Sequence, residues 1–132
     1  MKGRLGFTFM EILMSMLVFT ISILALIGLY VTVAQLNESS RNLMQAVNDA
    51  RAVLEAVRED SNSGLNTVMA KNWTSWSATN GLTSLRSEAV AVRWPGWPAI
   101  STSDPLPVTC TVSWEERTRN RSITVDTLVT RR

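Results

Sequence analysis

Residues 12–34 read ILMSMLVFTISILALIGLYVTVA, and none of these 23 side chains carries a charge. At about 1.5 Å per residue, a helix of this length covers roughly 35 Å, whereas the hydrocarbon core of a bilayer is about 30 Å thick. The stretch therefore predicts a helix that spans a membrane. Lys2 and Arg4 precede it and the next basic residue is Arg41, so the positive-inside rule predicts a cytoplasmic N-terminus and an exported C-terminal part.

The remaining composition excludes most active-site chemistry. The 132 residues include one Cys and no His, which rules out a His-based triad, a Cys/His zinc cluster and an intrachain disulfide. The net charge of +2 is weak support for nucleic-acid binding. The adjacent carboxylates Glu59-Asp60 and Glu115-Glu116 are expected to diverge, without a base or metal ligands nearby. We expect no catalytic residue, no metal site and no cofactor.

Glu11 stands at the edge of the apolar stretch, within Gly6-Phe7-Thr8-Phe9-Met10-Glu11. A carboxylate at bilayer depth costs up to about 3 kcal/mol and is a functional candidate by default. Cleavage after Gly6 would create a cationic partner, the new amine of Phe7. Phe7 and Glu11 are four residues apart and share one helical face. The amine could therefore meet the carboxylate of its own chain or that of a neighbouring copy.

Two simpler interpretations of the apolar stretch stay open at this point. A cleaved secretory signal could end at Thr32-Val33-Ala34 and release a secreted binding module that begins at Gln35. The apolar stretch of such signals spans only about 7–15 residues, which is shorter than the stretch here. A plain membrane anchor fits the length. Neither interpretation explains Glu11.

The N-terminal residues resemble a known signature. Lys2-Gly3-Arg4-Leu5-Gly6, followed by Phe7-Thr8-Phe9-Met10-Glu11, is similar to the class III leader of type IV prepilins and of type II secretion pseudopilins. That leader is short and basic, ends in Gly, and precedes Phe-Thr-x-x-Glu and a long apolar helix. The family often has Leu where Phe9 stands here. A disulfide loop near the C-terminus is common in pilins and is impossible in this chain.

The resemblance implies a minor pilin or pseudopilin, a structural subunit and not an enzyme. A membrane prepilin peptidase would cleave between Gly6 and Phe7 and methylate the Phe7 amine. The loss of Lys2 and Arg4 leaves 11 basic and 11 acidic side chains. The subunit would cross the inner membrane once, with its C-terminal domain outside. It would then join other pilins or pseudopilins at the assembly platform, with Glu11 paired to the N-terminal amine of a neighbour.

Gly28 is a second position of interest within the apolar stretch. Its low helix propensity, about 1 kcal/mol below that of Ala, could permit local stretching on assembly, because pilins often carry a helix breaker near that depth. A small residue for close helix packing is the equally weighted alternative.

The helix is predicted to continue beyond the membrane, from about Phe7 to Glu59, and to end at residues 60–64. Apolar residues recur at helical spacing on one expected stripe: Leu36, Leu43, Val47, Ala50, Leu54 and Val57. Asp49 and most other charged residues lie off this stripe. We therefore divide the chain into a leader (1–6), a transmembrane or assembly half of the helix (7–34), an amphipathic half (35–60) and a globular domain (61–132).

The C-terminal domain is expected to be a small antiparallel sheet. Residues 65–88 are assigned to a loop region that includes a short helix at 65–70. Strands are predicted at 89–94, 108–114 and 122–129 from their alternating apolar residues. The last two resemble the closing hairpin of PilV-type minor pilins and I-type pseudopilins. The predicted fold class is α+β, a pilin-like lollipop with a long N-terminal helix packed on this sheet.

Three further groups of residues in the C-terminal domain are functional candidates. Cys110 is expected to be a buried small side chain, with an intermolecular disulfide as the alternative. The five Trp residues are expected mainly in the core, although Trp94 and Trp97 could form a contact surface. Arginines surround the hairpin tip at 117, 119 and 121. They suggest an alternative function, a competence-type pseudopilin that contacts DNA.

Overall fold

The structure is a computed structural model that describes residues 8–99, 101 and 104–130. It confirms an α+β chain with a long N-terminal helix and a small antiparallel sheet. The elements are α1 (Phe9–Ser61), α2 (Leu65–Ala70), α3 (Trp73–Thr79), β1 (Ala89–Arg93), β2 (Leu106–Glu116) and β3 (Arg119–Val129). The chain divides into two compact units, Met1–Ser39 and Ser40–Arg132, which we call the N-terminal and C-terminal units.

The N-terminal unit carries the apolar part of α1. This helix is long and apolar enough to cross a membrane, and its most apolar 18-residue window contains no buried residue. Its large side chains are instead exposed, for example Phe19 (67%) and Leu24 (63%). An apolar surface of this extent is unfavourable in water, and the helix that carries it could span a membrane.

The C-terminal part of α1 is buried on a different stripe from the predicted one. The structure buries Ala46, Asp49, Ala50, Val53, Leu54, Val57 and Ser61. The predictions for Ala50, Leu54 and Val57 are confirmed, whereas Leu36 (66% exposed) and Leu43 (46%) lie outside the core. Asp49 was predicted off the stripe and is buried. The buried face includes Ala46, whose small side chain permits close packing, in place of the larger Leu43.

Two short helices follow α1, and only the first was predicted. The helix at 65–70 is confirmed, but residues 73–79 also form a helix where a loop was expected. Its N-cap is Asn72, whose side chain accepts a hydrogen bond from the Ser75 backbone N–H at 3.1 Å. The Ser and Thr residues that suggested a loop are compatible with this helix. For example, Thr79 Oγ1 donates back to the Ser75 carbonyl oxygen at 2.9 Å.

The sheet has the strand order β1-β2-β3, with both pairs antiparallel. The three predicted strands are confirmed, and β2 and β3 are longer than predicted because their hairpin turns in only two residues. Those residues, Arg117 (φ 47°) and Thr118 (φ 72°), both have positive φ. This geometry matches the right-handed twist of paired strands. Trp94, predicted as the last residue of β1, lies just after that strand.

One apolar core joins the elements of the C-terminal unit. The inward face of β2 alternates strictly with its outward face, and Leu106, Val108, Cys110, Val112 and Trp114 are all buried. They pack in one cluster with residues of α1, α2, α3 and β1, and with the partly buried Ile123 and Val125 of β3. The C-terminal unit therefore has its own hydrophobic core.

Candidate functional site

The N-terminal end of α1 is organised by Thr8. The backbone N–H of Glu11 donates to Thr8 Oγ1 at 3.3 Å and to the Thr8 carbonyl oxygen at 3.0 Å. Thr8 is therefore the N-cap and Glu11 the third residue of the helix, which is the Thr-x-x-Glu spacing of a capping box. A carboxylate in the first turn also interacts favourably with the helix dipole. Sequence analysis missed this local role, although the spacing was visible there.

The Ser and Thr hydroxyl groups within residues 12–34 are satisfied inside the helix. Each of the four Ser and Thr side chains donates to the carbonyl oxygen four residues earlier: Ser15 to Glu11 at 2.8 Å, Thr20 to Met16 at 2.8 Å, Ser22 to Val18 at 2.8 Å, and Thr32 to Gly28 at 3.0 Å. Such bonds make short polar side chains compatible with an apolar environment.

The Glu11 carboxylate, unlike these hydroxyls, is not hydrogen-bonded within the helix. It is exposed, and within the described residues it has no ion-pair or hydrogen-bond partner. A shallow groove runs along the same face of the helix, lined by Glu11, Met14, Ser15, Val18, Phe19 and Ser22. The site is thus one negative charge at the head of a strip that is otherwise apolar or internally hydrogen-bonded. It can accept a cation, provided that the cation comes from outside the described residues.

Of the other predicted site residues, the structure describes only Gly28. Gly6 and Phe7, the predicted cleavage and methylation positions, lie outside the described residues. Gly28 lies within the continuous helix α1, and a Cβ added there would meet nothing within 4 Å. Among residues 8–99, 101 and 104–130, therefore, no neighbour requires a glycine at that position. Stretching on assembly and packing against another helix both remain predictions for Gly28.

A second group of polar residues lies on the surface of the C-terminal unit, around Lys71. Lys71 Nζ is 2.8 Å from Asp60 Oδ2, and both side chains are about three-quarters buried. The same ammonium lies 4.6 Å from the ring centroid of Trp73 and 4.7 Å from that of Trp76. The Lys71 charge is therefore already neutralised and stacked within the fold, which gives it a structural role.

The aromatic surface predicted at the Trp-Pro-Gly-Trp turn is only partly formed. Trp94 is buried, and its Nε1 donates to the Ala99 carbonyl oxygen at 2.8 Å. Trp97 is half exposed, with the Arg93 guanidinium 5.1 Å from its ring centroid. A single exposed ring that already has a cation over it is a small contact surface for a neighbouring subunit.

The arginines around the hairpin tip are partly balanced by carboxylates. Arg121 Nε lies 3.3 Å from Glu116 Oε2, and Arg86 Nε lies 3.6 Å from Glu115 Oε2. Glu115 and Glu116 thus pair with different arginines and diverge, as predicted. These pairs reduce the positive field that a DNA-binding hairpin would need.

The structure also brings together two carboxyl groups that sequence analysis did not connect. Asp49 on α1 and Glu88, which directly precedes β1, face each other although they are 39 residues apart. Burial raises the pKa of both groups. The helical spacing of Ala46, Ala50, Val53 and Val57 is the one signal that could have identified Asp49 as buried.

Cys110 is buried, as predicted, and burial raises the pKa of its thiol to about 11. Such a thiol is a poor nucleophile because it stays protonated at neutral pH. In the part of the chain that the structure describes, no three side chains of the metal-ligating types converge. No protein-family model, curated protein or solved structure matches this chain.

Proposed function

We propose that this protein is a structural subunit of the type IV pilin class, a minor pilin or pseudopilin with a pilin-like arrangement of helix and sheet. It is held in the inner membrane by α1 and then assembles with other pilins or pseudopilins into a pilus or a secretion pseudopilus. Its role is structural and not catalytic. The leader-like residues 2–11 and the exposed apolar surface of α1 support this proposal.

One observation carries the proposal. In residues 8–37, Glu11 has the only charged side chain, and its carboxylate has no partner among the described residues. The Ser and Thr hydroxyls of residues 12–34, by contrast, are all bonded within the helix. An isolated carboxylate in a low-dielectric environment is strongly unfavourable, and a cation that contacts it there relieves the penalty. A subunit interface that supplies such a cation is therefore favoured over misaligned alternatives.

The proposed mechanism has three steps. Prepilin peptidase cleaves between Gly6 and Phe7, which removes Lys2 and Arg4 and leaves a new amine at Phe7. Methylation of that amine keeps it cationic. The amine of one subunit then pairs with Glu11 of its neighbour as the apolar helices stack. Because the attraction between two charges falls with distance and is strong at low dielectric, this pair selects one axial alignment of the helices.

The first experiment determines the N-terminus of the protein extracted from membranes by mass spectrometry. We expect a chain that begins at Phe7 with a methylated amine. A chain that begins at Met1 would contradict the processing step. A chain that begins at Gln35 would instead indicate a secreted binding module.

The second experiment tests the role of Glu11 in assembly. We expect Glu11→Ala and Glu11→Gln to be cleaved as efficiently as the wild type but to be incorporated into filaments at least about tenfold less, the effect of about 1.4 kcal/mol. Glu59→Gln is the matched control, because Glu59 is an exposed carboxylate of the same helix. Normal incorporation of Glu11→Gln would contradict the charge-pairing mechanism.

A further inference from the structure

Asp49, which is buried, and Glu88, which is half-buried, form an acidic pair between α1 and the segment before β1 in the C-terminal unit. Asp49 is only 7% exposed. One oxygen of each carboxyl group, Asp49 Oδ2 and Glu88 Oε1, is buried without a hydrogen-bond partner. The second oxygen of Glu88 accepts the backbone N–H of Leu85 at 2.8 Å. This bond fixes the Glu88 carboxyl group at the end of the segment that leads into β1.

A third buried polar atom without a partner belongs to β2, the strand that pairs with β1. Ala89 is opposite Ser113 in the β1–β2 register, so the antiparallel pairing places the preceding residue, Glu88, beside Trp114. The Nε1 atom of Trp114 is also buried without a partner. On the helix side, Gln45 Nε2 donates to Ser84 Oγ, one turn before Asp49. The segment before β1 therefore meets α1 through two polar contacts, one at Gln45 and one at Asp49.

No cation within the described residues neutralises the two carboxyl groups. The charged groups on neighbouring elements pair with one another: Arg86 with Glu115 at 3.6 Å, and Arg121 with Glu116 at 3.3 Å. Arg51, two residues beyond Asp49 on α1, is exposed, and neither Asp49 nor Glu88 has a Lys or Arg within ion-pair distance in residues 8–99, 101 and 104–130. Two buried carboxylates without a counterion would repel each other.

We propose that Asp49 and Glu88 share one proton in the folded C-terminal unit, and that this proton-bridged pair is a pH-sensitive latch between α1 and the segment 82–88. A proton on one carboxyl group supplies the donor that the other oxygen lacks. It also removes one of the two buried charges. This inference concerns only the C-terminal unit and does not depend on the proposed pilin function.

The direction of the pH dependence follows from proton linkage. Burial raises the pKa of Asp49 above its ordinary value of 3.8, and burial together with the Asp49 charge raises that of Glu88 above 4.5. Between these ordinary values and the raised ones, the folded state binds more protons than the unfolded state. The stabilisation is therefore fully present at acidic pH and is lost as the pH rises through the folded pKa. A carboxylate that is stabilised by a cation has the opposite dependence.

A bound divalent cation is the competing way to neutralise the pair. Ca²⁺ takes about 6–8 oxygen ligands, whereas this pair offers two unsatisfied oxygens. The chemistry of the neighbourhood thus favours a proton over a metal ion.

The experiment measures the thermal unfolding of the full chain in detergent micelles by near-ultraviolet circular dichroism. All five Trp residues lie between 73 and 114, so this signal reports on the C-terminal unit. We expect the midpoint to fall by about 5 °C or more as the pH rises from about 3.5 to about 8, because the folded state loses its extra proton within this range. Glu88→Gln should remove most of this dependence and raise the midpoint at about pH 8, because its amide can donate permanently to Asp49.

Two further variants and the addition of Ca²⁺ complete the test. Asp49→Asn should act like Glu88→Gln, and it decides the matter if the first variant does not fold. Glu59→Gln makes the same charge change on an exposed part of α1 and should retain the wild-type dependence. A wild-type midpoint that does not fall with pH, or a Glu88→Gln variant that keeps the full dependence, would overturn the proposal. So would a rise in the wild-type midpoint on addition of Ca²⁺ at about pH 8.

Discussion

Thr8 caps the helix that carries Glu11, because its hydroxyl oxygen lies 3.3 Å from the Glu11 backbone nitrogen and accepts its hydrogen. Glu11 therefore stands at the third helical position, where its carboxylate has a local role at the helix end as well as the proposed role between subunits. Substitutions at these two positions separate the two roles, since the cap requires the Thr8 hydroxyl and the subunit pair requires the Glu11 charge.

We expect Thr8→Ala to weaken the first turn of α1 by about 1 kcal/mol. Amide hydrogen exchange of residues 9–12 in micelles should become faster, with a smaller loss of assembly than for Glu11→Gln. Thr20→Ala is the control, because the Thr20 hydroxyl only donates back to the Met16 carbonyl oxygen within the same helix. Equal assembly defects in Thr8→Ala and Glu11→Gln would mean that helix capping, and not charge, accounts for the importance of Glu11.

Leu106 and Leu128 provide a test of the core on neighbouring strands. Leu106 of β2 is fully buried, whereas Leu128 of β3 is 63% exposed. We expect Leu106→Ala to lower the free energy of unfolding by about 2–5 kcal/mol and Leu128→Ala to lower it by less than about 0.5 kcal/mol. Urea titration followed by tryptophan fluorescence measures both values. Similar losses in the two variants would contradict the described orientation of the sheet.

The backbone of the β2–β3 turn is strained at Thr118, and a single substitution should relieve this strain. Thr118 has φ 72°, a left-handed conformation that glycine adopts readily and that a β-branched residue adopts at a cost. We expect Thr118→Gly to raise the free energy of unfolding by about 1 kcal/mol. The matched Thr124→Gly, within β3, should instead lower it by roughly 0.5–1 kcal/mol. Stabilisation by neither variant would argue against a two-residue turn at this place.

The buried thiol of Cys110 should make the free energy of unfolding depend on pH in the alkaline range. Burial raises the pKa of its thiol from 9.0 to about 11, so the folded state keeps this proton over a range in which the unfolded state loses it. The free energy of unfolding should therefore decrease as the pH rises from about 9 to about 11, by at most about 2–3 kcal/mol. Cys110→Ala is expected to lack this contribution, and the difference between the two urea titrations measures it. Identical slopes would show that the thiol is accessible to water.

Local sequence patterns predict correctly those helices and strands whose structure depends on residues close together in the chain. The long helix follows from 23 uncharged residues without a Pro, and β2 follows from strict alternation. The prediction was wrong where small residues form the interface. The large apolar side chain of Leu43 suggests a core position, yet Ala46 is buried and Leu43 is 46% exposed. Periodicity finds a face on a helix, but it does not show where the rest of the chain covers that face.

Some of the functional candidates can likewise be recognised from the sequence, whereas others depend on tertiary packing. Glu11 could be recognised from its neighbours, because an acidic residue at the edge of an apolar stretch is unusual in any fold. Helix α1 and the β2–β3 hairpin were likewise predictable, since their causes lie within a few residues along the chain. The acidic pair was not predictable, because Asp49 and Glu88 belong to elements that meet only when α1 and the sheet pack together. Tertiary packing alone turned two ordinary surface-type residues into a buried pair, since burial depends on what covers a side chain and not on its own sequence neighbours.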